Sequence, residues 1–121
     1  MIIGIGIDSV EIARFNNWHN YSQKKLRRIF SAQEIEYCLS GKVKAAERFA
    51  GRFTAREALY KAWPFSQQPF ISFCKKIAIN NDQNGKPNLQ LDSYQAQNLL
   101  IHLSITHTKD QATALIILEK R

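Results

Sequence analysis

The sequence predicts an α+β fold in which one long central helix packs on an antiparallel sheet. Apolar residues recur at three- and four-residue steps through residues 46–62, which is the pattern of a helix with one buried face. Alternation of apolar and polar residues is typical of strands. It marks the segments 2–12, 75–80, 89–91, 100–108 and 112–119. Because 121 residues suffice for one modest core, we expect a single domain over residues 1–121.

The first predicted strand places isoleucines on one face and Gly4, Gly6 and Asp8 on the other. Glycine has no side chain, so a ligand could approach the backbone at positions 4 and 6 beside Asp8. An aspartate that caps the turn after the strand is an equally good interpretation. The segment GIGID lacks the third glycine of the dinucleotide-binding fingerprint, so we predict no such site.

Between this strand and the central helix, residues 11–20 form at best a short amphipathic helix. Four cations then fall within five residues: Lys24, Lys25, Arg27 and Arg28. Most such clusters are solvated helix faces, and docking of an acidic partner is the more specific alternative. Ser31 and Glu34 have capping-box spacing, which predicts a helix that continues to about residue 39 and stops at Gly41.

The central helix carries charges inside and beside its apolar stripe. Glu57 and Lys61 form an i, i+4 pair, a common arrangement that stabilises a helix by roughly 0.2–0.5 kcal/mol. Their place at the edge of the apolar stripe favours another interpretation, a metal ligand with a neighbouring cation in a cleft. Arg48, Arg52 and Arg56 repeat at four-residue spacing. Such a row of like charges is natural beside an anion.

Turn residues define the second half of the chain. Trp63-Pro64 ends the central helix, because proline has no N–H and restricts the residue before it. DQNGKP at 82–87 predicts a hairpin, since Asn-Gly readily supplies positive φ. We also expect a short helix over 93–98 and a bend at Lys109-Asp110 between the last two strands.

His107 ends the fourth predicted strand. Its neighbours include three hydroxyl side chains, Ser104, Thr106 and Thr108. A histidine at a strand end is most often a satisfied polar residue. Several small donors grouped with an imidazole nevertheless suit phosphate oxygens.

The charge balance favours acidic partners. The chain has 17 Lys and Arg against 10 Asp and Glu, a formal net charge of +7. Nucleic acid, an acidic protein and a polyphosphate cofactor would all be attracted. The sequence shows no zinc-finger spacing, no RNP-type aromatic motif and no block of five consecutive basic residues. We therefore expect no nucleic-acid partner.

Cysteine usage and hydropathy indicate the compartment. Cys38 and Cys74 lie far apart and form no CxxC motif, so we expect two free thiols in a reducing cytosol. The N-terminus has no secretory signal pattern, and no window approaches the roughly 18–20 apolar residues of a membrane span. We expect a soluble cytoplasmic protein with no membrane partner.

Three segments together closely resemble the holo-acyl-carrier-protein synthases, the bacterial 4′-phosphopantetheinyl transferases. They are GIGIDSVEIAR at 4–14, FAGRFTAREALYKA at 49–62 and LSITHTKDQATA at 103–114, with DQNGKP at 82–87 matching the family's hairpin. The resemblance implies Mg²⁺-dependent transfer of the phosphopantetheine arm of coenzyme A to a serine of apo acyl carrier protein. That transfer leaves adenosine 3′,5′-bisphosphate and serves fatty acid biosynthesis. It also implies a homotrimer with coenzyme A between neighbouring subunits.

The resemblance also implies roles for individual residues. Asp8 and Glu57 match the metal-binding acids and, with Lys61, the catalytic residues. The implied coenzyme contacts are Arg52, Arg56, Lys61, Thr106 and His107. The implied carrier-protein docking residues are Arg14, Lys24, Lys25 and Arg28. The general base stays open between Glu57 and a water bound to the metal.

The sequence departs from the family in the loop after the central helix, where residues 63–69 replace a small, glycine-rich segment. Pro64 and Pro69 have no N–H to offer a phosphate. We therefore expect a change in coenzyme affinity or in the position of its phosphates. The alternative to a transferase is a non-catalytic basic module that binds acidic proteins or nucleic acid.

Overall fold

A three-stranded antiparallel sheet packs against one side of a long helix in the computed structural model, which describes residues 1–65 and 68–121. The strands are β1 (Ile2–Glu11), β2 (Ile77–Asn81), β3 (Pro87–Leu91), β4 (Leu99–His107) and β5 (Gln111–Lys120). The α-helices are α1 (Gln23–Leu26), α2 (Ala32–Leu39), α3 (Ala45–Ala62) and α4 (Phe70–Cys74). Short 3-10 helices cover Ile12–Phe15, Trp18–Asn20, Lys42–Lys44 and Gln95–Asn98. The predicted α+β fold is confirmed.

The strands form two separate sheets. The larger has the order β1-β5-β4, with both neighbouring pairs antiparallel, and the smaller is the β2-β3 hairpin. Gly85 has φ +79° in the hairpin turn, as the Asn-Gly sequence predicts. The Asp82 carboxylate accepts hydrogen bonds from the backbone N–H groups of Asn84 and Lys86, each at 2.9 Å. These bonds hold the predicted turn.

The glycine face of β1 packs directly on α3. A Cβ at Gly6 would overlap the carbonyl oxygen of Ala58, and one at Gly4 would overlap that of Ala62. The interpretation that these glycines open space for a ligand is therefore wrong. Their missing side chains let helix and strand backbones approach each other closely.

The isoleucine face of β1 points away from the helix. Ile5 and Ile7 are 62% and 60% exposed. They pair across the strands with Ile117 and Leu115 of β5, so the outer face of the sheet has an apolar centre. The alternation predicted from the sequence is correct, but the face with large apolar side chains is the uncovered one.

Helix α3 is buried around most of its circumference, which links two hydrophobic clusters. One cluster lies between α3 and the two sheets, and the other surrounds Phe15 and Phe49 beneath α1 and α2. The capping box of Ser31 and Glu34 is present at the start of α2, and α3 ends at Ala62 with Trp63 as its C-cap residue, where Trp63-Pro64 predicts the end.

Residues 63–69 follow α3, and Ser66 and Gln67 lie outside the described residues, so the expectation for this loop stays a prediction. Helix α4 comes next and was not predicted. Its Phe70 and Phe73 pack edge-on against Tyr60, and Phe73 also contacts Trp63. Among the described helices, none is long and apolar enough to cross a membrane.

Candidate functional site

Asp8 is the centre of a polar site between β1 and α3. It follows Gly6 on the face of β1 that packs on the helix. Its Oδ2 accepts a hydrogen bond from Thr54 Oγ1 at 2.6 Å, and its Oδ1 accepts one from Lys61 Nζ at 2.8 Å. Lys61 Nζ also donates to the carbonyl oxygen of Ile7 at 3.3 Å. The close approach of the two backbones at Gly6 thus brings a carboxylate to two side chains of the helix.

Glu57 is half-buried in the same region. Burial raises the pKa of its carboxyl group above the usual value, and the nearby charge of Asp8 raises it further, while Lys61 and Arg14 oppose both effects. The influence of Asp8 means that two carboxylates approach each other. Such a pair repels itself unless a cation lies between or beside the two groups.

Lys61 supplies one such cation. Its hydrogen bond to Asp8 is the main cause that raises the pKa of the ammonium group, so Lys61 is firmly protonated at neutral pH. The side chain is about half exposed, whereas that of Asp8 is 16% exposed. The amine therefore lies at the mouth of the site. Its ion pair with Asp8 joins α3 to β1, and Lys61 also lies one helical turn after Glu57 on α3.

The acids fit a magnesium ion. Mg²⁺ is usually bound through one or two carboxylates, with substrate phosphates and waters completing the shell. Asp8 and Glu57 provide two carboxylates, and the described residues contain no group of three or more His, Cys, Asp or Glu that could hold a metal alone. A closed structural metal centre does not match this donor set, but a metal shared with a phosphate substrate does.

A second polar site lies beyond β4. A cavity of about 230 Å³ opens there, lined by Tyr37, Glu47, Arg48, Gly51, Arg52, Asn81, Gly85, Pro87, Ile105 and His107. His107 Nδ1 lies 3.1 Å from Glu47 Oε1. Arg52 is 6% exposed, and its Nη2 donates to Asn81 Oδ1 at 3.1 Å. Two arginines and an imidazole give this cavity the groups that bind phosphates.

Two predicted coenzyme contacts do not belong to this cavity. Arg56 is fully buried, and its guanidinium binds both carboxylate oxygens of Glu34, so the prediction that Arg56 contacts a ligand is wrong. Thr106 is opposite Thr113, whose hydroxyl bonds to Ser9 on the outer face. His107 is opposite the buried Ala112. Successive residues of a strand point to opposite faces, so Thr106 and His107 do not form one donor group.

The two polar sites lie at opposite edges of the larger sheet. Asp8 on β1 pairs with Ala114 on β5, which pairs with Ile105 on β4. Strands lie about 4.8 Å apart, so roughly 10 Å of sheet separates the two edges. Along α3, Glu47, which contacts His107, and Thr54, which contacts Asp8, are seven residues apart, an axial offset of about 10 Å. One copy of the chain therefore does not bring His107 to Asp8.

The predicted docking residues are all exposed: Arg14, Lys24, Lys25 and Arg28. The Nζ of Lys25 lies 3.9 Å from the centroid of the Tyr21 ring. Arg14 is close enough to lower the pKa of Glu57. The basic surface thus begins beside the acid site.

Sequence reasoning missed Thr54, Glu34 and Tyr37. Thr54 lies three residues before Glu57 and seven before Lys61, so helical spacing alone could have placed it on the same side of α3. Glu34 was identified only as a capping residue. No signal in the sequence connects Tyr37 with the arginines of α3, because that contact depends on how α2 packs.

Known proteins resemble this chain in both sequence and structure. A family model described as the 4′-phosphopantetheinyl transferase superfamily matches residues 4–116. The chain is 42% identical to a holo-[acyl-carrier-protein] synthase of Treponema denticola, over 98% of this chain and 99% of that protein. It is 41% identical to the one of Trichlorobacter lovleyi, over 98% of both. A crystal structure of a holo-(acyl-carrier-protein) synthase from Bacillus anthracis, in complex with CoA (3′,5′-ADP), superposes with TM-score 0.83 at 34% identity, covering 100% of this chain and 99% of that one.

Proposed function

This chain belongs to the 4′-phosphopantetheinyl transferase superfamily, and from that membership we propose that it is a holo-[acyl-carrier-protein] synthase. It transfers the 4′-phosphopantetheine group of coenzyme A to a serine of apo acyl carrier protein. The full-length match to synthases of this name carries the proposal. In the reaction, the serine oxygen forms a bond to phosphorus as the bond from that phosphorus to the bridging oxygen breaks. Adenosine 3′,5′-bisphosphate leaves, and the serine proton passes to a base.

Asp8 and Glu57 would hold a magnesium ion, which stabilises negative charge on phosphate oxygens when bound. The serine proton would pass either to Glu57 or to a water held by the metal, and both groups would lie in this site. Thr54 keeps Asp8 in place through the 2.6 Å hydrogen bond.

Lys61 would stabilise the leaving group. Its ammonium group lies at the mouth of the site, 2.8 Å from Asp8 Oδ1, and stays protonated. Charge grows on the bridging oxygen as the pyrophosphate bond breaks, so a fixed cation there is most useful in the transition state.

We propose that the active site is shared between neighbouring copies of a homotrimer. One copy would supply Asp8, Glu57 and Lys61, and its neighbour would supply Arg52 and His107 for the phosphates of coenzyme A. The separation of the two polar sites within one chain supports this arrangement. The exposed apolar centre of the outer sheet face is a surface that a subunit contact would cover.

The basic residues at the start of the chain would receive the carrier protein. Arg14, Lys24, Lys25 and Arg28 are exposed, and Arg14 lies near Glu57, so an acidic protein bound there would present its serine to the acid site. Cys38 and Cys74 are buried free thiols, which fit a reducing compartment, and we place the enzyme in the cytoplasm.

Incubation with coenzyme A, Mg²⁺ and an apo acyl carrier protein tests the activity. Mass spectrometry should find one phosphopantetheine group on the carrier, and an unmodified carrier would reject the function. Mixed trimers test the shared site. Asp8→Ala is expected to be inactive alone, and Arg52→Ala is expected to have little activity at coenzyme A concentrations below its raised KM. Under that condition co-expression of the two should restore part of the activity, because some interfaces combine two intact halves. No recovery would show that one chain holds the whole site.

A further inference from the structure

Two guanidinium groups contact the ring of Tyr37. The Cζ atoms of Arg48 and Arg52 each lie 4.3 Å from the ring centroid. These arginines are four residues apart on α3, where like charges are neighbours and repel each other. An aromatic face attracts a cation, so the ring offsets that repulsion and fixes both side chains at once.

Polar contacts complete the arrangement. Arg48 Nη1 donates to the carbonyl oxygen of Tyr37 at 2.8 Å and to Ser40 Oγ at 2.9 Å. Arg52 Nη2 donates to Asn81 Oδ1 at 3.1 Å. Each arginine is therefore tied to a different element, α2 or the β2-β3 hairpin. Both arginines and Tyr37 line the 230 Å³ cavity that His107 also faces.

Arg52 has donors to spare. A guanidinium carries five N–H bonds. Among the described residues, the Arg52 side chain donates one hydrogen bond, to Asn81, and its buried Nε has no hydrogen-bond partner. Nε is 4.0 Å from Glu34 Oε1, which is too far for a hydrogen bond. Nε faces Glu34, so the N–H groups of Nη1 and Nη2, on a guanidinium that lines the cavity beside a second arginine, are the ones suited to an anion.

We propose that Tyr37 is a positioning residue for coenzyme binding, which holds Arg48 and Arg52 side by side so that both meet a phosphate group of coenzyme A. Tyr37 acts through the arginines and takes no part in the chemistry at Asp8 and Glu57. This inference rests on the proposed function. It adds Arg48 to the phosphate site and gives Tyr37 a role that requires its ring but not its hydroxyl group.

The kinetic consequence follows from the distance between the two polar sites. Without the ring, Arg48 and Arg52 separate, and their shared hold on a phosphate weakens. The KM for coenzyme A should rise by about fivefold to thirtyfold, as expected for the loss of two cation–π contacts. The kcat should stay close to that of the wild type, because uniform binding is lost rather than an interaction special to the transition state.

Steady-state kinetics of Tyr37→Leu and Tyr37→Phe, with coenzyme A and carrier protein varied in turn, test the proposal. Tyr37→Leu should raise the KM for coenzyme A, and Tyr37→Phe should restore it. Tyr94→Leu is the matched control, because Tyr94 is 80% exposed and lines a different pocket. An unchanged KM in Tyr37→Leu, or an equal defect in Tyr37→Phe, would overturn the role of the ring.

Calorimetric titration with coenzyme A separates this inference from the proposed function. A wild-type chain that binds coenzyme A but leaves the carrier unmodified would reject the function, while the affinities of the two Tyr37 variants would still decide the inference. If Tyr37→Leu does not fold, Arg48→Gln takes its place, with the same expected rise in the dissociation constant. An unchanged constant in that variant, or no binding of coenzyme A by the wild type, would overturn the proposal.

Discussion

Arg56 binds both carboxylate oxygens of Glu34, at 2.9 and 2.6 Å, and neither side chain is exposed to solvent. The same guanidinium donates to the carbonyl oxygen of Arg52 at 3.2 Å and to that of Ile77 at 3.1 Å. One buried cation thus joins α2, α3 and β2. Because Glu34 also caps α2, its carboxylate supports both the start of that helix and its packing on α3.

Removal of one member of this pair should be far more damaging than removal of both. Glu34→Ala leaves the Arg56 charge buried without its partner, and we expect it to lower the free energy of unfolding by about 3–5 kcal/mol. The double variant Glu34→Leu with Arg56→Met should recover much of that loss. Urea denaturation of the three proteins measures the difference. A single variant that costs less than about 1 kcal/mol would contradict the view that the pair is buried and essential.

The difference between prediction and structure at this pair has a physical cause. The period of apolar residues predicts α3, and Ser31 and Glu34 predict the start of α2, because both signals are local in the sequence. The partner of Arg56 is 22 residues away, and no local pattern shows which face of α3 meets α2. A row of arginines was therefore interpreted as a ligand surface, although two of its three members are buried.

The glycines of β1 also show that local sequence patterns do not reveal which elements pack together. Their sequence shows that side chains are missing, but only the packing shows that α3 fills the space. Asp8 and Glu57 were singled out as candidates because their unusual surroundings, a strand with glycines and an apolar helix stripe, are visible in the sequence, and the family resemblance paired them as metal ligands. Thr54, which bonds to Asp8, has no such surroundings.

Gly6→Ala should destabilise the protein strongly. The new Cβ would overlap the Ala58 carbonyl oxygen, and backbone on both sides prevents an easy adjustment, so we expect a loss of about 3 kcal/mol or more. Gly85→Ala is the matched control. It places a side chain at φ +79° in open space, which costs only the roughly 1–2 kcal/mol of a left-handed residue. Thermal and urea unfolding compare the two, and equal losses would contradict the close packing of β1 on α3.

Asp8→Ala and Glu57→Ala should fold but lose Mg²⁺-dependent transfer. Each removes a proposed metal ligand, which is worth several kcal/mol in the transition state, on the order of a thousandfold in rate. Glu11→Ala, at an exposed acid of the same strand, is the control for the change in charge. Transfer rates measured over a range of Mg²⁺ concentrations decide the matter. A near-normal rate at ordinary Mg²⁺ in either variant would remove that acid from the site.

Cys38 and Cys74 should resist alkylation in the folded protein. Burial raises the pKa of both thiols to about 12, so almost no reactive thiolate exists at pH 8. Iodoacetamide followed by mass spectrometry should find neither cysteine modified, and both modified in urea. Unfolded thiols ionise near pH 9 and folded ones near 12, so stability should also fall as pH rises across that interval. Rapid modification of the native protein would contradict the burial.

The exposed cations near the acid site should govern encounter with the carrier protein. Reversal of Arg14 or Lys24 to Glu is expected to raise the KM for the carrier and to flatten its salt dependence, because exposed charges act mainly on association over a Debye length of ~10 Å at 0.1 M salt. The KM for coenzyme A should change little. Lys120→Glu alters the net charge equally at an exposed position near the far end of the sheet, so it separates local docking from overall charge.

Arg52→Ala is the counterpart of these variants, because it should impair the use of coenzyme A rather than that of the carrier protein. Its guanidinium lines the cavity beyond β4, away from Arg14. Its loss should therefore weaken the binding of coenzyme A and leave the KM for the carrier protein nearly unchanged. Kinetics with each substrate varied in turn, at low and high salt, measure both profiles. Docking charges and phosphate-binding charges are separate only if the two variants impair different substrates. Equal impairment of both substrates in Arg14→Glu and Arg52→Ala would mean that one basic surface serves the carrier protein and the coenzyme together.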